Sequence, residues 1–405
     1  MGRHPRAWIT HSSPPDTGGI EIASVVELLR GKRICICAGS GGVGKTTTSA
    51  AIAAGMAARG KRVAVLTIDP AKRLADSLGL PELGNEERQV DPGLFEAEGV
   101  ETGGGELWAM MLDAKATFDE VVRKHAPDAE TRDRILDNRI YRQLSAALAG
   151  SQEYMAMEKL FEIHQEDRYD LLVLDTPPSR NALDFLDAPR RLTQFIEGRS
   201  LQVFMRPTGL GMKLFGRGTS MMFSVLRRVT GVDLLEDISE FFQAFSGMVG
   251  GFRERAKRVN ELLADPATSF LVVCAPQGEP IEEAVYFHRK LVEADLPFGG
   301  VIVNKVHYES ETEGDDREVA AELNEVLGDA GLAERVASNF ADYTALAARD
   351  RRNIRRLTRE LRARRVIQVP YLEEDVHDLA GLMEINRYLF ATRSERETLA
   401  AGRAA

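Results

Sequence analysis

Cysteine is scarce in this 405-residue chain: Cys35, Cys37 and Cys274 are all there are. Three are too few for a disulfide framework or a four-cysteine metal site. No Cys-x-x-Cys pair occurs, which excludes a zinc staple of that form. No stretch approaches the roughly 18 consecutive apolar residues that a membrane-spanning helix needs. Residues 1–16 are basic but run into His11-Ser12-Ser13-Pro14-Pro15 with no apolar segment, so no secretory leader is expected. Excess positive charge is missing too. The 52 Lys and Arg stand against 62 Asp and Glu, a net charge of -10, which argues against general affinity for nucleic acid or anionic membranes. No repeat or low-complexity tract is visible. A reducing compartment, the cytoplasm, is the expected location.

What is present suffices for a large core, since 44% of residues are hydrophobic. Length alone allows two or three domains of about 150 residues, or one enlarged α/β domain. The pattern favours the second: an N-terminal extension over residues 1–30, then a single domain over 31–405. From Lys32 onward, short apolar runs alternate with helical stretches. Residues 34–38, 63–68, 171–174, 270–274, 301–303 and 366–369 are each too short for a helix and rich in β-branched side chains. Continuous apolar strands are buried on both faces, which requires a mostly parallel sheet with helices on either side. A doubly wound α/β fold is the natural packing.

Two stretches, at about 114–167 and 189–265, carry helical rather than strand signals and are expected as helical insertions. The second is rich in Met and Phe: Phe204, Met205, Met212, Phe215, Met221, Met222, Phe223, Phe241, Phe242, Phe245 and Met248. Such a cluster suits a plain helical core. The glycines among them, from Gly209 to Gly251, suit mobile helices whose apolar face is exposed in some state, as clients of variable shape require.

The sharpest signal is Gly39-Ser40-Gly41-Gly42-Val43-Gly44-Lys45-Thr46. It satisfies G-x-x-x-x-G-K-[ST], follows a strand and opens a helical run, the context such a loop needs. Glycines let the backbone fold with its N–H groups pointing at phosphate oxygens, and the helix N-terminus adds positive partial charge. Gly41, Gly42, Val43 and Gly44 would cradle the phosphates. Lys45 would reach the β- and γ-phosphates, the Thr46 hydroxyl would ligate magnesium, and Thr47 would sit near the α-phosphate. ATP and Mg2+ are the implied cofactors. Strand 171–174 runs into Asp175, a second metal candidate in the manner of a Walker B carboxylate. Alone, a strand-end aspartate is commonly a cap; the company it keeps makes the difference. Strand 63–68 delivers Asp69 towards the topological switch point, where a carboxylate could orient the attacking water. Lys45 and Asp69 are the catalytic candidates.

At these residues the sequence resembles the arsenical-pump-driving and tail-anchored-protein-targeting ATPases, a branch of the deviant-Walker-A P-loop NTPases. Asp69-Pro70-Ala71, with Leu74 and Asp76, resembles that family's switch I. Asp175-Thr176-x-Pro178, with Leu183, Phe185 and Leu186, resembles switch II. The resemblance makes Asn304 the residue that reads adenine, and Pro370 and Tyr371 part of the loop that closes over the base. It implies a dimer that opens and closes with ATP, and a helical subdomain that carries an apolar protein client or meets a membrane-protein partner.

The departures matter as much. Ser40 stands where the family has its signature lysine, which reaches into the partner subunit's ATP site. A serine is too short and uncharged to replace it, and loss of a cation supplied in trans can cost orders of magnitude in rate. Arg180 and Asn181 replace glycine and histidine in switch II, and Lys72 replaces a histidine in switch I. Several readings stay open. The chain is an ATPase working on an apolar client, as a homodimer or as a heterodimer with a lysine-bearing paralogue, or a weakly active regulatory subunit of such a heterodimer. An arsenite-pump motor would want clustered thiolates, whereas Cys35 and Cys37 are expected as buried core on one strand face. A DNA-positioning ATPase is disfavoured by the acidic balance, and no nucleic-acid partner is expected. The arginine-rich run 349–365 fits a solvated helix paired with carboxylates such as Glu309, Glu311, Glu313, Asp315 and Asp316, or a docking site for an acidic partner or membrane surface.

Two substitutions separate binding from chemistry. Lys45→Ala is expected to weaken Mg-ATP affinity, whereas Asp69→Asn should keep binding and lose hydrolysis. Wild-type turnover in the Asp69→Asn protein would remove the water-orienting role.

Overall fold

The computed structural model describes residues 21–22, 24–68, 72–139, 141–142, 151–177, 240–241, 243–308, 316–362, 365–372, 374–392 and 395. Asp69, Pro70 and Ala71 lie outside the described residues. So do residues 178–239, with Pro178, Arg180 and Asn181, and the acidic residues from Glu309 to Asp315.

Strand β1 (Glu21–Ile22) and helix α1 (Val25–Leu28) lead into β2 (Ile34–Ala38), α2 (Lys45–Ala57) and β3 (Arg62–Thr67). Short pieces follow, α3 (Arg73–Ser77), β4 (Arg88–Gln89) and α4 (Pro92–Ala97), and then β5 (Glu106–Met111). A helical stretch comes next: α5 (Ala114–His125), α6 (Ala129–Asp137) and α7 (Ser151–Gln165). The chain re-enters the sheet as β6 (Leu171–Asp175) and resumes with α8 (Val249–Ala264), β7 (Thr268–Cys274), α9 (Gly278–Glu293) and β8 (Phe298–Val306). It ends with α10 (Asp316–Leu327), α11 (Ala330–Leu361), β9 (Arg365–Pro370) and α12 (Leu379–Leu389). Aspartates start five of these helices. Asp91, Asp113, Asp128, Asp329 and Asp378 each accept a backbone N–H from the first turn, satisfying a donor the helix leaves open.

The nine strands form one sheet in the order β1-β9-β8-β7-β2-β6-β3-β5-β4. All pairs are parallel except β4 with β5. Alternate residues of each inner strand enter two separate cores. Ile34, Ile36, Leu172, Leu174, Phe270 and Val272 pack under α5, α7, α8, α9 and α11. Cys35, Cys37, Leu171, Val173, Leu271 and Val273 pack under α2 and α12. That division is why these strands read as unbroken apolar runs. Three strands escape the same reading. β5 is only half-buried at alternate positions, β4 is two exposed residues, and β1 is two residues long.

In the first helical stretch, residues of α5, α6 and α7 join the first core. Phe118 stacks on Phe252 at 5.7 Å, Phe245 meets Phe252 at a tilt at 5.2 Å, and Tyr141 meets Phe241 at 6.0 Å. Of the Met/Phe set, Phe241, Phe245 and Met248 are buried here. Phe204 to Phe223 and the side chain of Phe242 lie outside the described residues. The arginine run divides. Arg349 to Arg359 belong to α11, Arg362 turns left-handed as its cap, and Arg365 opens β9. Its carboxylate partners include Glu282, Asp350 and Glu360. Among the described residues no helix is long and apolar enough to cross a membrane.

Helix α2 is buried nearly all round, which explains its alanines; its Gly55 lies against Phe390 and Asn386 beside α12. A Cβ there would sit 2.2 Å from a Phe390 ring carbon. In an open helix Gly→Ala gains about 0.5–1 kcal/mol. Here overpacking costs about 1–3 kcal/mol, so Gly55→Ala is expected to lower the melting temperature. A higher Tm in thermal unfolding would show that Phe390 yields freely.

Candidate functional site

The site is built where β2 stops. Its neighbours β6 and β7 belong to different halves of the sheet, so a crevice opens at its carboxyl end. The chain turns there through Gly42 (φ 76°) and Gly44 (φ 90°), conformations that cost glycine least. Gly44 is the residue before α2. Positive φ values alternating with ordinary ones turn successive N–H groups inward, an anion nest capped by a helix N-terminus. Val43 and Lys45 are buried, Thr46 and Thr47 are half-buried, and Gly41 and Gly42 are exposed at the rim. The Lys45 Nζ donates to the Ser40 carbonyl at 2.7 Å, so the ammonium folds back across the mouth of the loop.

Two hydroxyls converge on one carboxylate. Thr46 Oγ1 donates to Asp175 Oδ2 at 2.7 Å, and Thr67 Oγ1 donates to the same oxygen at 2.9 Å. Asp175 is fully buried at the end of β6. Just beyond it, Thr176 donates its hydroxyl to the Cys37 carbonyl at 2.9 Å, pinning β6 to β2. Thr46 and Asp175 thus meet across 129 residues of sequence, as the metal assignment requires. Hard oxygen donors of this kind suit Mg2+, which is bound through one or two protein oxygens and substrate phosphates. Among the described residues no cluster of three or more His, Cys, Asp or Glu side chains could hold a metal by itself.

The far wall comes from β8 and β9. Asn304 is buried, and its Nδ2 donates to the Val43 carbonyl at 2.9 Å. Here, then, the amide grips the loop. Pro370 closes β9, and the Tyr371 N–H donates to the Val306 carbonyl at 2.9 Å. The Tyr371 side chain is exposed and its ring stacks on His307 at 5.5 Å. His307 is held from behind by Asp350 of α11, which is fully buried and lies 2.7 Å from the ring Nδ1. Of the residues that sequence reasoning brought forward, Lys45, Thr46, Asp175 and Asn304 make contacts in and around the loop, while Pro370 and Tyr371 stand at the end of β9 beside β8. That reasoning missed Thr67, Lys305, His307 and Asp350. Asp350 carries one signal, as the lone acid among Arg349, Arg351 and Arg352.

Asp69 is outside the described residues. Lys72 is exposed at the start of α3. Ser40 is buried, and its hydroxyl has no hydrogen-bond partner among the described residues. The three cysteines do not converge. Cys35 and Cys37 face α2 with sulfurs 4.0 Å apart, while Cys274 enters the opposite core. All three are fully buried.

Comparison with known proteins agrees with this geometry. Residues 32–348 match the family model described as anion-transporting ATPase. ATPase GET3 of Kluyveromyces lactis is 26% identical over 293 residues, 68% of this chain and 73% of that protein. A protein of Aquifex aeolicus named as an arsenical pump-driving ATPase is 29% identical over 291 residues, 68% of this chain and 63% of its own length. ATPase GET3A of Arabidopsis thaliana is 24% identical over 282 residues, 67% of each chain.

The thiols offer a direct check on the two cores. The hydrogen bond with Cys37, and then burial, push the Cys35 thiol well above its ordinary pKa; burial alone pushes Cys274 up to about 12. A buried thiol without its thiolate is inert. A disulfide reagent at pH 8 is therefore expected to modify none of the three in the native protein and all three after denaturation. Fast native labelling would contradict this placement.

Proposed function

The chain belongs to the anion-transporting ATPase family and is an ATP hydrolase of that kind; we propose that it couples binding and hydrolysis of Mg-ATP to opening and closing of a dimer and to handling of an apolar protein client or membrane-protein partner. The observation that carries this proposal is the junction at Asp175. The hydroxyl of Thr46, the first-turn residue of α2, and that of Thr67 on β3 both hold this carboxylate, and the chain runs on from it towards the Met/Phe-rich stretch.

In this proposal Gly41, Gly42, Val43, Gly44, Lys45 and Thr47 bind the phosphates, Thr46 and Asp175 hold the magnesium, and Asn304, Pro370 and Tyr371 surround the base. Asp69 orients the water. When bound, magnesium would neutralise charge between the β- and γ-phosphates. The protein supplies the inward N–H groups, the ammonium of Lys45 and a carboxylate kept from bulk water. Handling of arsenite through protein thiols finds no support, because the three cysteines point into two separate cores and a soft metalloid wants them together.

Ser40 shapes the quaternary proposal. Its side chain is buried and uncharged, so a homodimer would have no signature cation at either site. A heterodimer with a lysine-bearing paralogue would complete the site on this chain and leave the partner's site deficient. We therefore favour an asymmetric heterodimer in which the ATP on this chain is hydrolysed. The regulatory-subunit reading shares the Ser40 observation and differs in predicting no turnover in either setting. Steady-state ATPase of the purified chain, wild type and Ser40→Lys, is the test. Low turnover alone, raised by Ser40→Lys or by the paralogue, is expected. Robust homodimer activity that ignores Ser40→Lys would sink the heterodimer.

A further inference from the structure

Resting on the phosphate-site reading, we propose that Lys305 is a positioning residue of the nucleotide site, clamping the outer side of the phosphate loop and supplying in cis a positive charge beside it. Three observations meet at this residue. The first is a bulge. Val303 pairs with Gln368 and Val306 pairs with Pro370, so β8 carries one more residue than β9 between the same two points. The second is its backbone. Lys305 has φ 61°, a left-handed conformation uncommon for a side-chain-bearing residue. The Asn304 Oδ1 accepts its N–H at 2.9 Å and locks the turn. The third is where the side chains go. In a regular strand, adjacent residues point to opposite faces. Here Asn304 and Lys305 both reach the loop: Asn304 Nδ2 to the Val43 carbonyl at 2.9 Å, and Lys305 Nζ to the Gly42 carbonyl at 3.0 Å. Bulges re-aim side chains beside functional sites in this way.

The physics of the nest explains what such a clamp does. Turning successive N–H groups inward turns carbonyls outward, and those carbonyls need donors. Asn304 and Lys305 serve two consecutive ones from outside. The loop is thereby held with its donors convergent before an anion arrives, which lowers the ordering cost of binding. Lys305 also brings a charge to a loop that has serine at position 40, and it stands in this subunit. Lys305 holds the loop through the Gly42 carbonyl, and its proposed action runs through that contact.

The test uses the full chain and two ligands, Mg-ATP and inorganic tripolyphosphate, with binding measured by calorimetry and stability by thermal unfolding. Lys305→Met keeps the stem and removes the donor and charge. Losing a charged hydrogen bond corresponds to on the order of tenfold or more, so affinity for both ligands is expected to fall by about that factor, with Lys305→Arg restoring most of it. Lys305→Gly relieves the left-handed backbone while removing the clamp, so it should melt no lower than wild type and still bind weakly. A merely structural lysine would instead lose stability and affinity together. Unchanged affinities in Lys305→Met would overturn the clamp. A loss confined to ATP, with tripolyphosphate unaffected, would move Lys305 to the base and overturn it equally. Failure of the wild-type chain to bind either ligand would overturn the phosphate site itself, and the clamp with it.

Discussion

Everything at the nucleotide end depends on one backbone turn, the passage from the end of β2 into α2. The turn must point N–H groups inward at an anion, and a backbone arranged so strands its carbonyls on the outside. The surrounding structure answers that demand. Asn304 and Lys305 take two of the carbonyls, Lys45 takes a third, and Gly44 leaves room for the Asn304 amide, which would stand 2.4 Å from any added Cβ. The central place of β2 in the sheet makes this possible, because only there do strands from both halves bring their ends to the same loop.

The two faces of the sheet have divided the work. On one, small side chains let α2 lie close to the strands and to α12, which fixes the helix that follows the glycine loop. Its apolar surface comes mainly from alanine, with Gly55 at the tightest approach to Phe390. On the other face large aromatics join the helical stretch to the strands through Phe118, Phe245 and Phe252. An ion pair between buried Glu158 of α7 and half-buried Arg255 of α8 lies with them, and Glu158 also accepts the Tyr154 hydroxyl at 3.1 Å. Charges buried in this way define how two helices meet more than they add to stability.

Charge around the crevice is carried by two lysines. Position 40 carries none, while Lys45 and Lys305 approach the loop from its two sides. Asp350 joins Arg349 and His307, so the long helix α11 is tied to the end of β8, where the His307 ring stacks on Tyr371. The arginine run in which Asp350 is embedded therefore has a structural foot in the site, whatever its exposed members meet.

By itself the sequence determined what depends on neighbours in the chain. The phosphate loop is a contiguous motif between a strand and a helix, and the inner strands announce themselves because both of their faces are buried. Asp175 was legible for the same reason, as the carboxylate that ends one such strand. The lesser strands were not: β5 has one partly open face, and β1 and β4 hold two residues each. Only the tertiary structure decided which distant groups meet. Thr67 reaches Asp175 because β3 and β6 pair in register. Lys305 reaches Gly42 because a bulge, invisible in composition, turns it onto the face of its neighbour. Phe241 and Phe245 are core because α5 and α8 pack over them. Periodicity records which face of an element is buried; it does not record against what, since that is set by register and packing between segments more than a hundred residues apart.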